Sequence, residues 1–324
     1  MNTHQPAVLS KPQKQALQWL ARLRGSQCSD QDKQAFSDWL ALAPEHATAY
    51  TEVQQFWEQI SDLPDMAGTR LGAARSYIRN AQTSRRRRTT FLVIGAIVVG
   101  FMTSQPEYFL QLTAKHYQTA KGEHISIQLA DGSGIEVNTD SELKVAELFG
   151  YRKVWLEHGE AWFSVHHNPE QPFEVLVGKG RIRDIGTQFN VLTDAARTAV
   201  AVEEGEVSIS MPDREPVSVT AGRQSGFDET GLINAVTAVD FKAVSAWRSG
   251  MLIFKQQSLP EVLRQLSRYH KVDFELPDAK LQNVTVSGRF STTDLNESLN
   301  TLANGLGVKI TRLTPERISI RAAK

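Results

Sequence analysis

Apolar residues recur at two different periods along this 324-residue chain, and the change of period divides it. Over the first 60 residues the spacing is helical. Residues 11–24 place Ala16, Trp19, Leu20 and Leu23 at i, i+3, i+4 and i+7 on one face, and Gly25 ends the run. Ser29 or Asp30 caps a second helix that aligns Phe36, Trp39 and Leu40 and is broken by Pro44. A third helix, from about residue 45 to 60, aligns Ala49, Tyr50, Val53 and Trp57. The expectation is a small all-α bundle over 1–65. Pro64 and Gly68 then loosen the chain, and a basic juxtamembrane linker follows over 66–88.

From about Tyr117 the period falls to 2. Residues 124–129 alternate, Asp131-Gly132 signals a hairpin, and 135–138 return. Residues 154–157 and 161–165 read as a second pair joined by a His158-Gly159 turn. Runs at 173–177, 181–185, 189–192, 199–202 and 207–210 continue, with Gly205 at a further turn. Short strands repeated about every ten residues predict an all-β domain over 115–240. After Trp247 strands and helices alternate: strands at 251–254, 272–276, 284–289, 308–313 and 317–321, helices at 259–269 and 293–306. That order predicts two β-α-β units in tandem, an α+β domain over 247–324.

Between the two periods lies the stretch 91–102, FLVIGAIVVGFM, without one polar side chain. With flanking threonines it spans roughly 22 Å at ~1.5 Å per residue, short of a hydrocarbon core of ~30 Å. By length alone a buried core helix competes. The context favours a single transmembrane helix over 89–105. Arg85, Arg86, Arg87 and Arg88 precede the run, and arginine snorkels to lengthen a short span. Residues 70–90 hold seven arginines and no acid, whereas the only basic residues of 103–122 are Lys115 and Lys121. The positive-inside rule then places the N-terminus in the cytoplasm and the C-terminus in the periplasm of a bacterial inner membrane. The expected fold is thus multidomain: all-α bundle, one span, periplasmic all-β domain, C-terminal α+β domain.

Composition adds exclusions. Net charge is +0, with the basic surplus confined to the juxtamembrane segment, so no direct nucleic-acid contact is expected. Cys28 is the single cysteine, which excludes an intramolecular disulfide and a cysteine-based zinc site. No GxSxG, HExxH, Walker or dinucleotide fingerprint appears, and Gly178-x-Gly180 lacks its third glycine. His158, His166 and His167 are close in sequence, but alternation sends His166 and His167 to opposite faces of a strand. Neither metal nor cofactor is expected, and the chain does not read as an enzyme.

Particular residues carry a resemblance to a known family. In the first segment these are Ala16-x-x-Trp19-x-x-Arg22-Leu23, Phe36-x-x-Trp39-Leu40-x-x-x-Pro44, Ala49-Tyr50 and Trp57. Beyond the apolar run they are Gly122-Glu123, Leu129-Ala130-Asp131-Gly132-Ser133, Asn138-Thr139 and Gly159-Glu160-Ala161-x-Phe163-x-Val165. Pro172-Phe173-x-Val175, Gly186-Thr187-x-Phe189-Asn190-Val191, Glu204-Gly205-x-Val207 and Ala221-Gly222 follow. Trp247-Arg248-x-Gly250, Arg268-Tyr269 and Ser287-Gly288-x-Phe290 complete the set. In this order they resemble the FecR family of inner-membrane regulators of extracytoplasmic-function sigma factors.

The resemblance implies that the signalling domain of a TonB-dependent outer-membrane receptor, loaded with an iron-siderophore or similar ligand, touches the periplasmic part. The signal then reaches a sigma factor held by the cytosolic bundle, with periplasmic and intramembrane proteases as further partners. The last domain is similar to the secretin/TonB short N-terminal domain. Contact with the sigma factor is expected at Trp19, Trp39 and Trp57, since tryptophan anchors interface hot spots, although tryptophans at helical spacing also build cores.

Two questions stay open. Gly186-Thr187 puts a hydroxyl directly after a glycine, the arrangement in which Thr Oγ attacks the preceding carbonyl, and some FecR-type regulators cleave themselves at such a bond. The same pair also suits a tight bend between strands. The competing function is a membrane-anchored periplasmic binding protein for envelope carbohydrate or a secretion component, which leaves the tryptophan-rich bundle without a purpose.

Overall fold

The computed structural model describes residues 10–23, 28–61, 110–111, 113–148, 150–194 and 196–323. The predicted linker 66–88, its arginines Arg85, Arg86, Arg87 and Arg88, and the predicted span lie outside the described residues. Among the described residues no helix is long and apolar enough to cross a membrane. Two compact units divide the chain. The first holds the N-terminal helices, and the second is formed by His116–Val145 and Arg152–Lys324.

The first unit contains α1 (Lys11–Leu23), α2 (Asp30–Leu42) and α3 (Pro44–Ser61). Ser29 caps α2 in a reciprocal box: its hydroxyl accepts the Asp32 N–H at 3.1 Å, and the Asp32 carboxylate accepts the Ser29 N–H at 3.0 Å. Pro44 does more than stop α2. After the single extended residue Ala43 it opens α3, where its fixed φ suits a first helical turn. Ala16, Leu20, Trp39, Ala49 and Val53 form the buried seam.

The second unit begins with thirteen strands: β1 (Lys115–Thr119), β2 (Ile125–Gln128), β3 (Gly134–Val137), β4 (Ser141–Leu148), β5 (Tyr151–Ser164), β6 (Phe173–Val177), β7 (Gly180–Asp184), β8 (Gln188–Thr193), β9 (Arg197–Glu204), β10 (Glu206–Ser210), β11 (Val217–Thr220), β12 (Arg223–Asp228) and β13 (Thr237–Ala238). They join as β11-β10-β7-β6-β5-β8-β9-β12-β13, with β3 and β4 also paired to β5, β2 to β3 and β1 to β4.

β5 is the hinge of this arrangement, and it corrects the sequence reading. The expected two strands and His158-Gly159 turn are one strand. Its first half runs parallel to β6, Arg152 opposite Phe173. Its second half runs antiparallel to β8 and β3, with Phe163 opposite both Phe189 and Ile135. Gly159, at φ +93°, bends the strand without reversing it, and a Cβ there would lie 2.1 Å from Ser141 Oγ. Every residue from Arg152 to Leu156 is buried, so alternation is lost where both faces are covered. β9 and β10 likewise meet at Gly205 without pairing with each other: β9 joins β8 and β12, β10 joins β7 and β11. One core serves the strands from β1 to β12. Phe163 stacks on Phe189 at 4.9 Å and tilts on Phe173 at 5.9 Å, and Val175, Ile182, Val191, Val200 and Ile209 close around them.

The remaining chain holds α4 (Phe241–Val244), β14 (Met251–Ser258), α5 (Leu259–Tyr269), β15 (Asp273–Glu275), β16 (Thr285–Ser291), α6 (Leu295–Leu306), β17 (Val308–Thr314) and β18 (Arg317–Ala322). The predicted element order is present, but the two β-α-β units interleave. β14 pairs antiparallel with β16, β15 runs parallel to β18, and β17 pairs antiparallel with β18. Leu259, Val262, Leu263 and Leu266 of α5 and Leu299 and Leu302 of α6 fill the core with Trp247, Phe290 and Ile318. Trp162 of β5 belongs to this second core. The α+β region therefore packs on the β strands as part of one unit.

Candidate functional site

The connection between β7 and β8 is Ile185-Gly186-Thr187. Two backbone hydrogen bonds clamp it against the loop after β5: Val165 N–H donates to Thr187 O and Asn168 N–H to Ile185 O, both at 2.9 Å. Gly186 sits at φ +148°, and a Cβ there would lie 2.5 Å from His167 Nδ1 and 2.6 Å from His167 Cα. Only glycine fits. Gly205 closes the other side, where a Cβ would meet Thr187 Cγ2 at 2.5 Å and Gly186 O at 3.3 Å.

Asp184, the last residue of β7, is 1% exposed, and its Oδ1 accepts the Gly186 N–H at 3.0 Å. Its Oδ2 and the Thr187 hydroxyl are both buried without a hydrogen-bond partner. Burial pushes the Asp184 pKa above the ordinary carboxylate value. The N–H groups of Gly186, Ile185 and Thr187 and the approaching Thr187 hydroxyl oppose the shift without cancelling it. The sequence reading has the Gly-Thr pair and a turn at Gly205, but it connects neither Gly205 nor Asp184 with the pair. A signal existed: in β7 Gly180, Ile182 and Asp184 take the inward positions, while Ile185 is 43% exposed. An inward Asp followed by an outward Ile inverts the expected polarity.

A second buried carboxylate lies where the α+β region meets β5. Glu160 accepts hydrogen bonds from Asn138 Nδ2 at 2.8 Å, Asn190 Nδ2 at 3.0 Å and Arg268 Nη1 at 3.0 Å. Asn138 Nδ2 also reaches the Tyr269 hydroxyl at 2.6 Å, and the Thr139 hydroxyl donates to Arg268 O at 2.9 Å. Trp247 Nε1 points to Asn190 Oδ1 at 3.4 Å. Burial and the charge of Glu160 raise the Tyr269 pKa well above that of an ordinary phenol. At the rim the Arg248 guanidinium lies 3.6 Å over the Trp162 ring and donates to Glu136. A cleft of about 200 Å³ opens beside Glu160 and Asn190, lined also by Gln224, Trp247, Gln257 and Gln265.

In the helical unit Trp19 is half-buried, 5.7 Å from the Phe36 ring and 6.3 Å from Trp39, and the Arg22 guanidinium covers it at 5.6 Å. Trp39 is buried, donates to Gln15 Oε1 at 3.3 Å and stacks on His46 at 4.5 Å. Trp57 lies on α3, with its side chain outside the described residues. Leu42, at the end of α2, is 74% exposed, an apolar side chain the periodicity does not single out. β5 ends at Ser164, so His166 and His167 are exposed loop residues rather than opposite faces of a strand. Among the described residues no group of three His, Cys, Asp or Glu could hold a metal ion.

Three family models match the chain in succession: a domain of unknown function, DUF4880, over residues 14–56, FecR protein over 115–208, and FecR, C-terminal, over 251–320. Comparison with curated proteins gave no match. Two crystal structures of a candidate anti-sigma factor from Parabacteroides distasonis share the fold. Each is 24% identical, covers 65% of this chain and 100% of its own, and has a TM-score of 0.57.

Proposed function

Because the chain belongs to the FecR family, we propose that it is a membrane-anchored regulator of an extracytoplasmic-function sigma factor. The bundle over 1–65 holds the sigma factor in the cytoplasm, and 89–105 crosses the inner membrane. The unit from His116 onward lies in the periplasm, where the signalling domain of a TonB-dependent receptor, serving iron-siderophore uptake, docks on the α+β region. The observation that carries this reading is the order of the matched segments. The DUF4880 match falls on the helices and the FecR and FecR C-terminal matches on the β and α+β regions, with the arginines and apolar run between the first two. The test is co-purification of the full-length chain in detergent with each extracytoplasmic-function sigma factor of its organism. Capture of one, weakened by Leu42→Asp, is expected. Failure with all of them refutes the reading.

Self-cleavage at Gly186-Thr187 is the second element of the proposal. Its support is the buried, unpartnered Thr187 hydroxyl beside a glycine held at positive φ. Thr187 Oγ attacks the Gly186 carbonyl, the C–N bond breaks to leave an ester and a free Thr187 amine, and water hydrolyses the ester. This happens once per chain and is not turnover. On a denaturing gel the full-length chain is expected as two fragments and Thr187→Ala as one. If wild type also runs as one band, the bond is not cleaved. After cleavage, periplasmic and intramembrane proteases would act on the anchored fragment.

A further inference from the structure

Proton movement is what the Gly186-Thr187 rearrangement demands and what the backbone alone does not supply. The threonine hydroxyl must lose a proton as it attacks, and the departing nitrogen must gain one. We propose that Asp184 is the proton shuttle of this site, taking the proton from Thr187 Oγ and returning it to the Thr187 nitrogen as the C–N bond breaks. The inference rests on the self-cleavage reading and adds to it the group that performs the transfer.

Three observations converge on Asp184. Its carboxyl is fixed at the bond, because Oδ1 accepts the Gly186 N–H at 3.0 Å. Its Oδ2 has no hydrogen-bond partner, and neither does the Thr187 hydroxyl; both are buried in the same turn. Buried polar atoms in a native fold are satisfied far more often than not, and here the two unsatisfied ones are neighbours, the Thr187 hydroxyl lying near enough to act on the Asp184 carboxyl. Finally, Asp184 is 1% exposed and occupies an inward position of β7 where the alternation calls for an apolar residue. A stability role explains this placement poorly, since a buried carboxyl with a free oxygen costs stability.

The step balances without an outside reagent. Asp184 starts ionised, receives the hydroxyl proton as the Oγ–C bond forms, and gives it to nitrogen as the C–N bond breaks. The products are the Gly186 ester on Thr187 Oγ, the free Thr187 amine and Asp184 ionised again. Burial, which raises the affinity of this carboxylate for a proton, makes it a better base than an exposed aspartate. Water then adds across the ester, leaving the Gly186 carboxylate and the Thr187 hydroxyl. Clamping by Val165 and Asn168 and the tight fit around Gly186 and Gly205 hold the reacting atoms in place meanwhile.

The experiment follows appearance of the two fragments after synthesis of the full-length chain, by pulse-chase and denaturing gel. It compares wild type, Thr187→Ala, Asp184→Asn, Asp184→Ser and Asp184→Glu, with thermal unfolding of each variant as the folding control. Thr187→Ala is expected to stay whole. A folded Asp184→Asn or Asp184→Ser is expected to cleave on the order of 100-fold more slowly than wild type. Asp184→Glu, which restores a carboxyl, should be faster than either, an ordering that a packing role would not produce. Hydroxylamine, which intercepts an ester, should not restore the wild-type rate to the neutral variants, because formation of their ester is the slow step. A folded neutral variant that cleaves at the wild-type rate, or that hydroxylamine restores, overturns the shuttle while self-cleavage stands. If wild type and Thr187→Ala both remain whole, self-cleavage and the shuttle fall together.

Discussion

Glu160 and Asp184 are two carboxyls in one β domain, each almost wholly withdrawn from water, and they are treated in opposite ways. Three side-chain N–H groups from Asn138, Asn190 and Arg268 converge on Glu160. Around Asp184 the only hydrogen bond comes from the Gly186 N–H of the next turn, the Thr187 hydroxyl approaches without completing one, and one carboxyl oxygen is left without a partner. Burial therefore does not define a role by itself. A buried charge that collects partners from distant elements ties those elements together. A buried charge left incomplete beside a hydroxyl points to chemistry. Asp131 belongs with Glu160: it takes the Arg152 guanidinium and the Ser133 hydroxyl and N–H, each at 2.8 Å.

The contrast can be broken by substitution, beginning with the largest effect. Glu160→Ala strands a half-buried guanidinium and two buried amides and should cost about 3–5 kcal/mol in urea unfolding of the full chain. A loss below about 1 kcal/mol would mean that the network does not tie the regions together. Asp131→Asn should cost about 1.5–3 kcal/mol at neutral pH, since hydrogen bonds to a charge are removed.

Its pH dependence separates it from Asp184→Asn. Burial opposes ionisation of Asp131, but Arg152 and Ser133 hold its pKa below 3.8. Its contribution is present above that value and lost as pH falls through the folded value, so the Asn deficit fades in acid. Asp184 is shifted upward from 3.8, so its contribution is present below 3.8 and lost as pH rises through the folded value. Unfolding of Asp184→Asn should accordingly improve against wild type as pH rises through that window; a deficit that grows instead contradicts the sign. Tyr269→Phe removes one acceptor from Asn138 and should cost ~1 kcal/mol. Arg248→Ala, at the rim, should cost ~0.5–1 kcal/mol.

Local rules were readable because local physics sets them. The helix seam through Ala16 and Leu20, the Ser29 cap, the Asp131-Gly132 hairpin and the helix Leu259–Tyr269 all depend on neighbours in sequence. β5 misled because its first half is covered on both faces, and because Gly159 marks a bend that looks like a reversal in sequence. Pairing of β14 with β16 was beyond reach, since periodicity carries no information about which strand a strand meets. At the candidate site Gly186 and Thr187 announced themselves by chemistry. Asp184 did so only faintly, because Arg-Asp-Ile-Gly reads as a polar strand end unless the alternation is counted on from Ile182, which turns the carboxyl inward. The partners of Glu160 lie up to 108 residues away, a convergence only the tertiary fold creates.

The sharing of β5 by both halves of the sheet has a mechanical consequence. A chain opened between β7 and β8 would not come apart, because the pieces remain zipped along two antiparallel seams. One seam joins β7 to β10, with Ile182 opposite Ile209; the other joins β5 to β8, with Phe163 opposite Phe189. Both seams must yield before the pieces part. Tension applied to the C-terminal piece would then be borne by hydrogen bonds and interlocked apolar rows instead of by a covalent bond. Such a joint would be one that force, rather than binding alone, could open.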